Sequence, residues 1–186
     1  MAAHNFLSSE LSLEADLLFP AGQEKTIPGL VIAHGFPTGE TGGANSPDTL
    51  PELGERISKE MGWAVMVPYF RGMGRSEGFF SLDGWREDLK AAIKYFSTFE
   101  EVGPIWLVGF GTGGALSLAA AVTEEEIKGV AALAAPADFR DWAENPRRLL
   151  LHARDAGLIN ESSPLADFDT CLLYTSPSPR DRTRAR

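Results

Sequence analysis

The strongest constraint on this chain is an alternation of two patterns. Short continuous apolar runs (Gly29-Leu-Val-Ile-Ala33, Trp63-Ala-Val-Met-Val-Pro68, Ile105-Trp-Leu-Val108 and Val130-Ala-Ala-Leu-Ala134) take turns with stretches of helical period. A short run without polar interruption is what a strand needs when both faces of its sheet are covered. Between the runs, residues 49–61 place Leu50, Leu53, Ile57 and Met61 at helical spacing. Residues 83–96 put Trp85, Leu89, Ala92, Ile93 and Phe96 on one face. Residues 113–122 are small enough to pack closely on a sheet, and residues 147–156, ended by Gly157, read as a further helix. Residues 11–19 alternate loosely, with Leu11, Leu13 and Ala15 on one face, and read as an edge strand. The pattern predicts βαβ units with right-handed crossovers. The fold class is then α/β, a mostly parallel sheet with helices on both faces. In such sheets chemistry gathers at the carboxyl ends of the strands. That singles out the loops at 34–37, 69–78, 109–114 and 136–138.

A length of 186 residues suits one domain and is thin for two. The formal charge of −9 speaks against nucleic acid as a partner, since such binding needs a positive footprint. No apolar run approaches the roughly 20 residues of a membrane span, and residues 1–21 do not read as a secretory signal. The single cysteine leaves no internal disulfide. A cytoplasmic setting is the expectation. No His/Cys/Asp/Glu cluster has metal-ligand spacing, so neither a metal nor another cofactor is expected. The sequence does not set an oligomeric state.

Residues 171–186 read differently from the rest. Cys171-Leu-Leu-Tyr-Thr-Ser-Pro-Ser-Pro-Arg-Asp181 has no period and no capping logic. It closely resembles the translated transposase adapter of sequencing libraries, and such a segment is set aside from fold reasoning. It holds four of the 17 basic residues and one of the 26 acidic ones, so residues 1–170 are more acidic still. On this reading residues 1–170 form the N-terminal part of one domain whose later strands are missing.

Four loop motifs carry the chemistry. A buried strand runs into His34-Gly35-Phe36. Arg71-Gly-Met-Gly-Arg-Ser-Glu-Gly78 is a glycine-rich loop without the Gly-Lys-Ser/Thr ending of a phosphate-cradling P-loop. Gly109-Phe-Gly-Thr-Gly-Gly114 sits between a strand and a helix, and Ala134-Ala-Pro-Ala-Asp138 ends the last apolar run. Taken together and in this order, they resemble the α/β-hydrolase fold family, whose nucleophile elbow reads Gly-x-Ser-x-Gly.

The resemblance implies a hydrolase that acts on ester- or amide-type acyl substrates. It makes the backbone N–H groups of Phe36 and Thr112 the oxyanion-hole donors, and Gly109 and Gly113 the small residues of the elbow. Gly111 falls at the nucleophile position, where the family has serine. Glycine has no hydroxyl and forms no acyl-enzyme, and Thr112 is one place late. Asp138 is a candidate acid, with a helix N-cap as its more ordinary role. The family's catalytic histidine follows the last strand, and none of His4, His34 and His152 lies there; the imidazole of His34 suits loop hydrogen bonding. The chain as written is therefore expected to lack serine-hydrolase activity. Two versions stay open: a pseudoenzyme that keeps a pocket and oxyanion donors, or a one-base difference between serine and glycine codons.

Two other readings compete. Gly109-x-Gly111-x-x-Gly114 also has the spacing of a dinucleotide-binding fingerprint. Two buried runs precede it, however, and the acids some 20 residues on, Glu124 to Glu126, read as a solvated helix end. A non-catalytic interaction protein on the hydrolase fold is the other.

Overall fold

The computed structural model describes residues 2–22, 25–37 and 49–159. Residues 171–186, read above as adapter-derived, lie outside the described residues.

Among the described residues six strands form one sheet: β1 (Ala2–Ser8), β2 (Leu11–Leu18), β3 (Ile27–Ala33), β4 (Ala64–Pro68), β5 (Val102–Phe110) and β6 (Ile127–Leu133). Their order is β1-β2-β4-β3-β5-β6. β1 and β2 form an antiparallel hairpin, and β2 runs antiparallel to β4. The β4-β3-β5-β6 part is parallel throughout. The helices α1 (Leu50–Met61), α2 (Leu82–Phe96) and α3 (Thr112–Thr123) are the crossovers, and α4 (Arg140–Glu144) and α5 (Pro146–Asp155) follow β6.

Strand period 2 divides the apolar runs between two cores. On one face Leu30, Ile32, Val65 and Val67 meet Leu50 of α1, with Leu53, Ile57, Trp106 and Val108 packed alongside. On the other, Val31, Ala33, Ala64, Met66, Ile105 and Leu107 meet Trp85, Leu89, Ala92, Ile93 and Phe96 of α2 and Leu116 of α3. The expected mostly parallel sheet with helices on both faces is therefore what forms. Helix α2 also starts where local chemistry says it should, because the Ser81 hydroxyl accepts the Gly84 N–H at 3.0 Å.

Two strand readings need correction. Residues 11–19 do not form the edge: β2 lies between β1 and β4, and β1 is the edge. β1 escapes sequence reading because its pattern is mixed: Phe6 and Ser8 are buried while Leu7 is 72% exposed. The 130–134 run is not covered on both faces either. β6 pairs only with β5 among the described residues, and Ala131, Ala132 and Leu133 are exposed. The neighbouring α3 is apolar all round and leaves Leu118 and Val122 exposed. Met61, counted on the apolar face of α1, is likewise exposed. Among the described residues no helix is long and apolar enough to cross a membrane.

Candidate active site

The carboxyl ends of β3 and β5 are neighbours, with Ala33 paired to Gly109. β5 ends at Phe110 and α3 begins at Thr112, so Gly111 alone turns the chain from strand to helix. Its backbone takes φ 53° and ψ −120°, a region that side chains with a Cβ rarely adopt. Hydrogen bonds hold that conformation from both sides. The Gly111 N–H donates to the Leu133 carbonyl at 2.9 Å, and its own carbonyl accepts from Gly114 N–H at 3.0 Å and Ala115 N–H at 3.2 Å.

The flanking glycines answer to close approach. A Cβ at Gly109 would strike the Gly113 carbonyl and come 2.6 Å from the Gly114 Cα. A Cβ at Gly113 would strike the backbone oxygens of Ala33 and His34. The start of α3 thus sits directly on the end of β3, and the 109–114 and 34–36 turns share one corner of the molecule.

In the second turn, His34 is completely buried. Its Nε2 accepts the Phe70 N–H at 3.2 Å, which makes Nδ1–H the donor to the Gly35 carbonyl at 3.0 Å. Burial pushes its pKa down to about 4, against the opposing effects of the Gly35 carbonyl and the Asp88 charge, so the ring is neutral at physiological pH. Because no peptide bond is cis among the described residues, the Gly35 carbonyl and the Phe36 N–H point opposite ways. Fixing the carbonyl on His34 turns the Phe36 N–H away from it.

Phe70 is held in turn. Asp88 on α2, fully buried, accepts from Arg71 N–H at 2.8 Å, from Arg71 Nη2 at 2.7 Å and from the Ser8 hydroxyl at 2.6 Å. The Trp85 indole N–H donates to the Arg71 carbonyl at 3.0 Å, and its ring meets His34 edge-on at 4.9 Å. The sequence reading did not single out Asp88 or Trp85 in this role. An acid among Trp85, Leu89 and Ala92 on the apolar face of one helix was the available signal. In the loop that begins at Arg71, Gly72, Gly74 and Gly78 take positive φ.

Other candidates fall elsewhere. Thr112 is 5% exposed, so its hydroxyl is not open to solvent. As the first residue of α3, it contributes an N–H that lacks a helical partner of its own. Asp138 is exposed and is not the N-cap of α4, which is Phe139; from one residue before it, the Asp138 Oδ1 accepts the Arg140 N–H at 2.9 Å. His4 lies on β1 against Phe99. Glu124 to Glu126 precede β6, at the opposite end of the sheet from the 109–114 turn. That is the wrong end for acids that would recognise a dinucleotide bound at the turn. His152 on α5 is exposed yet stacks on the Phe36 ring, with centroids 5.0 Å apart and planes at 21°. Beside Phe36 opens a cavity of ≈ 460 Å³, walled by Trp142, Leu149, His152 and the Asp141 and Arg148 pair. Among the described residues no group of three or more His, Cys, Asp or Glu is placed to hold a metal ion.

A family model described as alpha/beta hydrolase fold matches residues 28–159. No curated protein matches the chain. Among solved structures, Est1E from Butyrivibrio proteoclasticus with ferulic acid bound is 26% identical, with a TM-score of 0.65. The match covers 77% of this chain and 57% of that one. XC6422 from Xanthomonas campestris, an a/b serine hydrolase without lid, is 27% identical with a TM-score of 0.53, over 66% of this chain and 56% of that one. An alpha-beta serine hydrolase homologue from Coxiella burnetii is 26% identical with a TM-score of 0.54, over 67% and 58%. The match thus takes in a little over half the length of each of these neighbours.

Proposed function

The chain belongs to the alpha/beta hydrolase fold family, and from that premise we propose that it binds ester- or amide-type acyl compounds without serine catalysis. The carbonyl oxygen of the ligand is received by the Phe36 and Thr112 N–H groups. The observation that carries this reading is the backbone of Gly111. It sits at the strand-to-helix turn with φ 53° and ψ −120°, in the context where the family presents its nucleophile.

The chemistry follows from what is present and what is not. Donors fixed in advance stabilise negative charge as it develops on a carbonyl oxygen, and removal of one such donor typically costs about 10²–10³ in rate. The 34–36 turn supplies one donor, oriented through His34, and the start of α3 supplies the other. An acyl-enzyme needs a bond from a side-chain oxygen to the carbonyl carbon, and residue 111 offers only hydrogen. Both nitrogens of the His34 ring are already engaged, so it is not a free base for water either.

The experiment is direct. The purified chain is incubated with p-nitrophenyl acetate and, separately, with a fluorophosphonate probe. The expected outcome is turnover at the blank rate and no label. Stoichiometric labelling mapped to a side chain within residues 109–114 would overturn the proposal.

A further inference from the structure

We propose that the cavity beside Phe36 receives a flat aromatic ring carrying a phenolic hydroxyl, so that the acyl compounds this chain binds are aromatic esters. The inference rests on the preceding reading only for the position of the ester carbonyl.

The ring of Phe36 has two kinds of aromatic neighbour. Phe80, edge-on at 5.1 Å, and Trp85, at 6.0 Å, are buried and hold it from within. Trp142, edge-on at 5.2 Å, and His152, nearly parallel at 5.0 Å, approach from α4 and α5 on the solvent side. The cavity opens among these outer rings, and ≈ 460 Å³ is room for a small substituted ring and its ester group. Ring faces and edges at the cavity wall favour a flat guest, because aromatic pairs gain from stacked and edge-to-face geometry beyond the area they bury. A saturated ring of the same size is thicker and lacks the matching quadrupole.

The polar wall decides the charge. The Arg148 guanidinium lies 3.6 Å from the Asp141 carboxylate, which also accepts from the Asn145 amide at 3.1 Å. That pair is neutral as a unit, and Asp155 adds a further carboxylate to the lining. The lining carries two carboxylates against one guanidinium, so an anionic guest is disfavoured. A phenolic hydroxyl avoids that penalty, and it can donate to a carboxylate oxygen at the wall.

The test is calorimetric titration of the full chain with four probes: methyl 4-hydroxybenzoate, methyl cyclohexanecarboxylate, 4-hydroxybenzoate and 4-hydroxybenzyl alcohol. Methyl 4-hydroxybenzoate is expected to bind about tenfold tighter than the cyclohexane ester, the scale of one or two aromatic pairs. It is also expected to bind tighter than the free anion. Trp142→Ala and His152→Leu should each weaken it severalfold while circular dichroism stays unchanged, since both side chains sit on the solvent side of the site. Equal binding of the flat and saturated esters, preference for the anion, absence of binding, or indifference to both substitutions would overturn the proposal. The alcohol separates the two readings. If it binds as tightly as the ester, the ring site stands and the carbonyl site at Phe36 and Thr112 fails. If the two methyl esters bind alike and both exceed the alcohol, the carbonyl site stands and the aromatic site fails.

Discussion

Restoring the missing hydroxyl by Gly111→Ser should destabilise the protein and still leave it inactive. At φ 53° and ψ −120° an L-residue lies outside the left-handed well, and such a conformation costs about 1–3 kcal/mol. Relaxation is blocked, because Gly111 is bonded through its N–H to Leu133 and through its carbonyl to Gly114 and Ala115. A partial offset comes from the unfolded chain, which is less free with serine than with glycine, a gain of about 0.4–1 kcal/mol. The net loss is about 1–2 kcal/mol, or a few degrees in Tm for a chain of this size. The assay is urea unfolding followed by tryptophan fluorescence, with Gly111→Ala run in parallel. Alanine carries the Cβ without the hydroxyl and should cost the same. Turnover of p-nitrophenyl acetate should stay at the blank rate in both variants, since both His34 nitrogens are committed. An unmoved or raised urea midpoint in both variants would refute the reasoning, because it would mean that residue 111 is not held in this conformation.

Three further outcomes follow. His34 stays neutral in the fold with a pKa near 4, below its value of about 6.5 in the unfolded chain, so between those values the unfolded state binds more protons. Its contribution is complete above pH 6.5 and declines as pH falls to 4, by about 3 kcal/mol in all. Subtracting the pH profile of His34→Asn from that of the wild type isolates it. Asp88→Ala leaves Arg71 without its buried partner and should cost about 3–5 kcal/mol in a urea melt; a loss below 1 kcal/mol would contradict the bonding described. Gly113→Ala places a methyl group against the Ala33 and His34 carbonyls and should exceed the Gly111→Ala loss by pushing α3 off β3.

Much of the architecture was legible because period and length agreed. The runs around Val31, Met66 and Leu107 could only be strands, and Leu50 to Ile57 and Trp85 to Phe96 could only be helix faces. The elbow was legible because strand, glycines and helix adjoin in sequence. β1 was not, since Ser8 points inward beside Phe6 while its leucine faces out, and its presence moved β2 from the edge to the interior. The support for the 34–36 turn was hidden for another reason. The Ser8–Asp88 bond spans 80 residues and the Phe70–His34 bond 36, and no local pattern reports such partners. The same holds for His152, whose meeting with Phe36 depends on where α5 comes to rest.

The free side of β6 has a consequence for handling the protein. Its backbone groups on that side have no neighbouring strand among the described residues, and Leu133, Leu118 and Val122 stand exposed near them. An unpaired strand beside apolar side chains is a template for another chain. Loss of monomer through that edge is second order in protein, so dilution should lengthen its lifetime in solution in proportion. A sample followed at two concentrations should decay with half-lives that differ by the dilution factor, whereas loss through unfolding alone would give the same half-life at both.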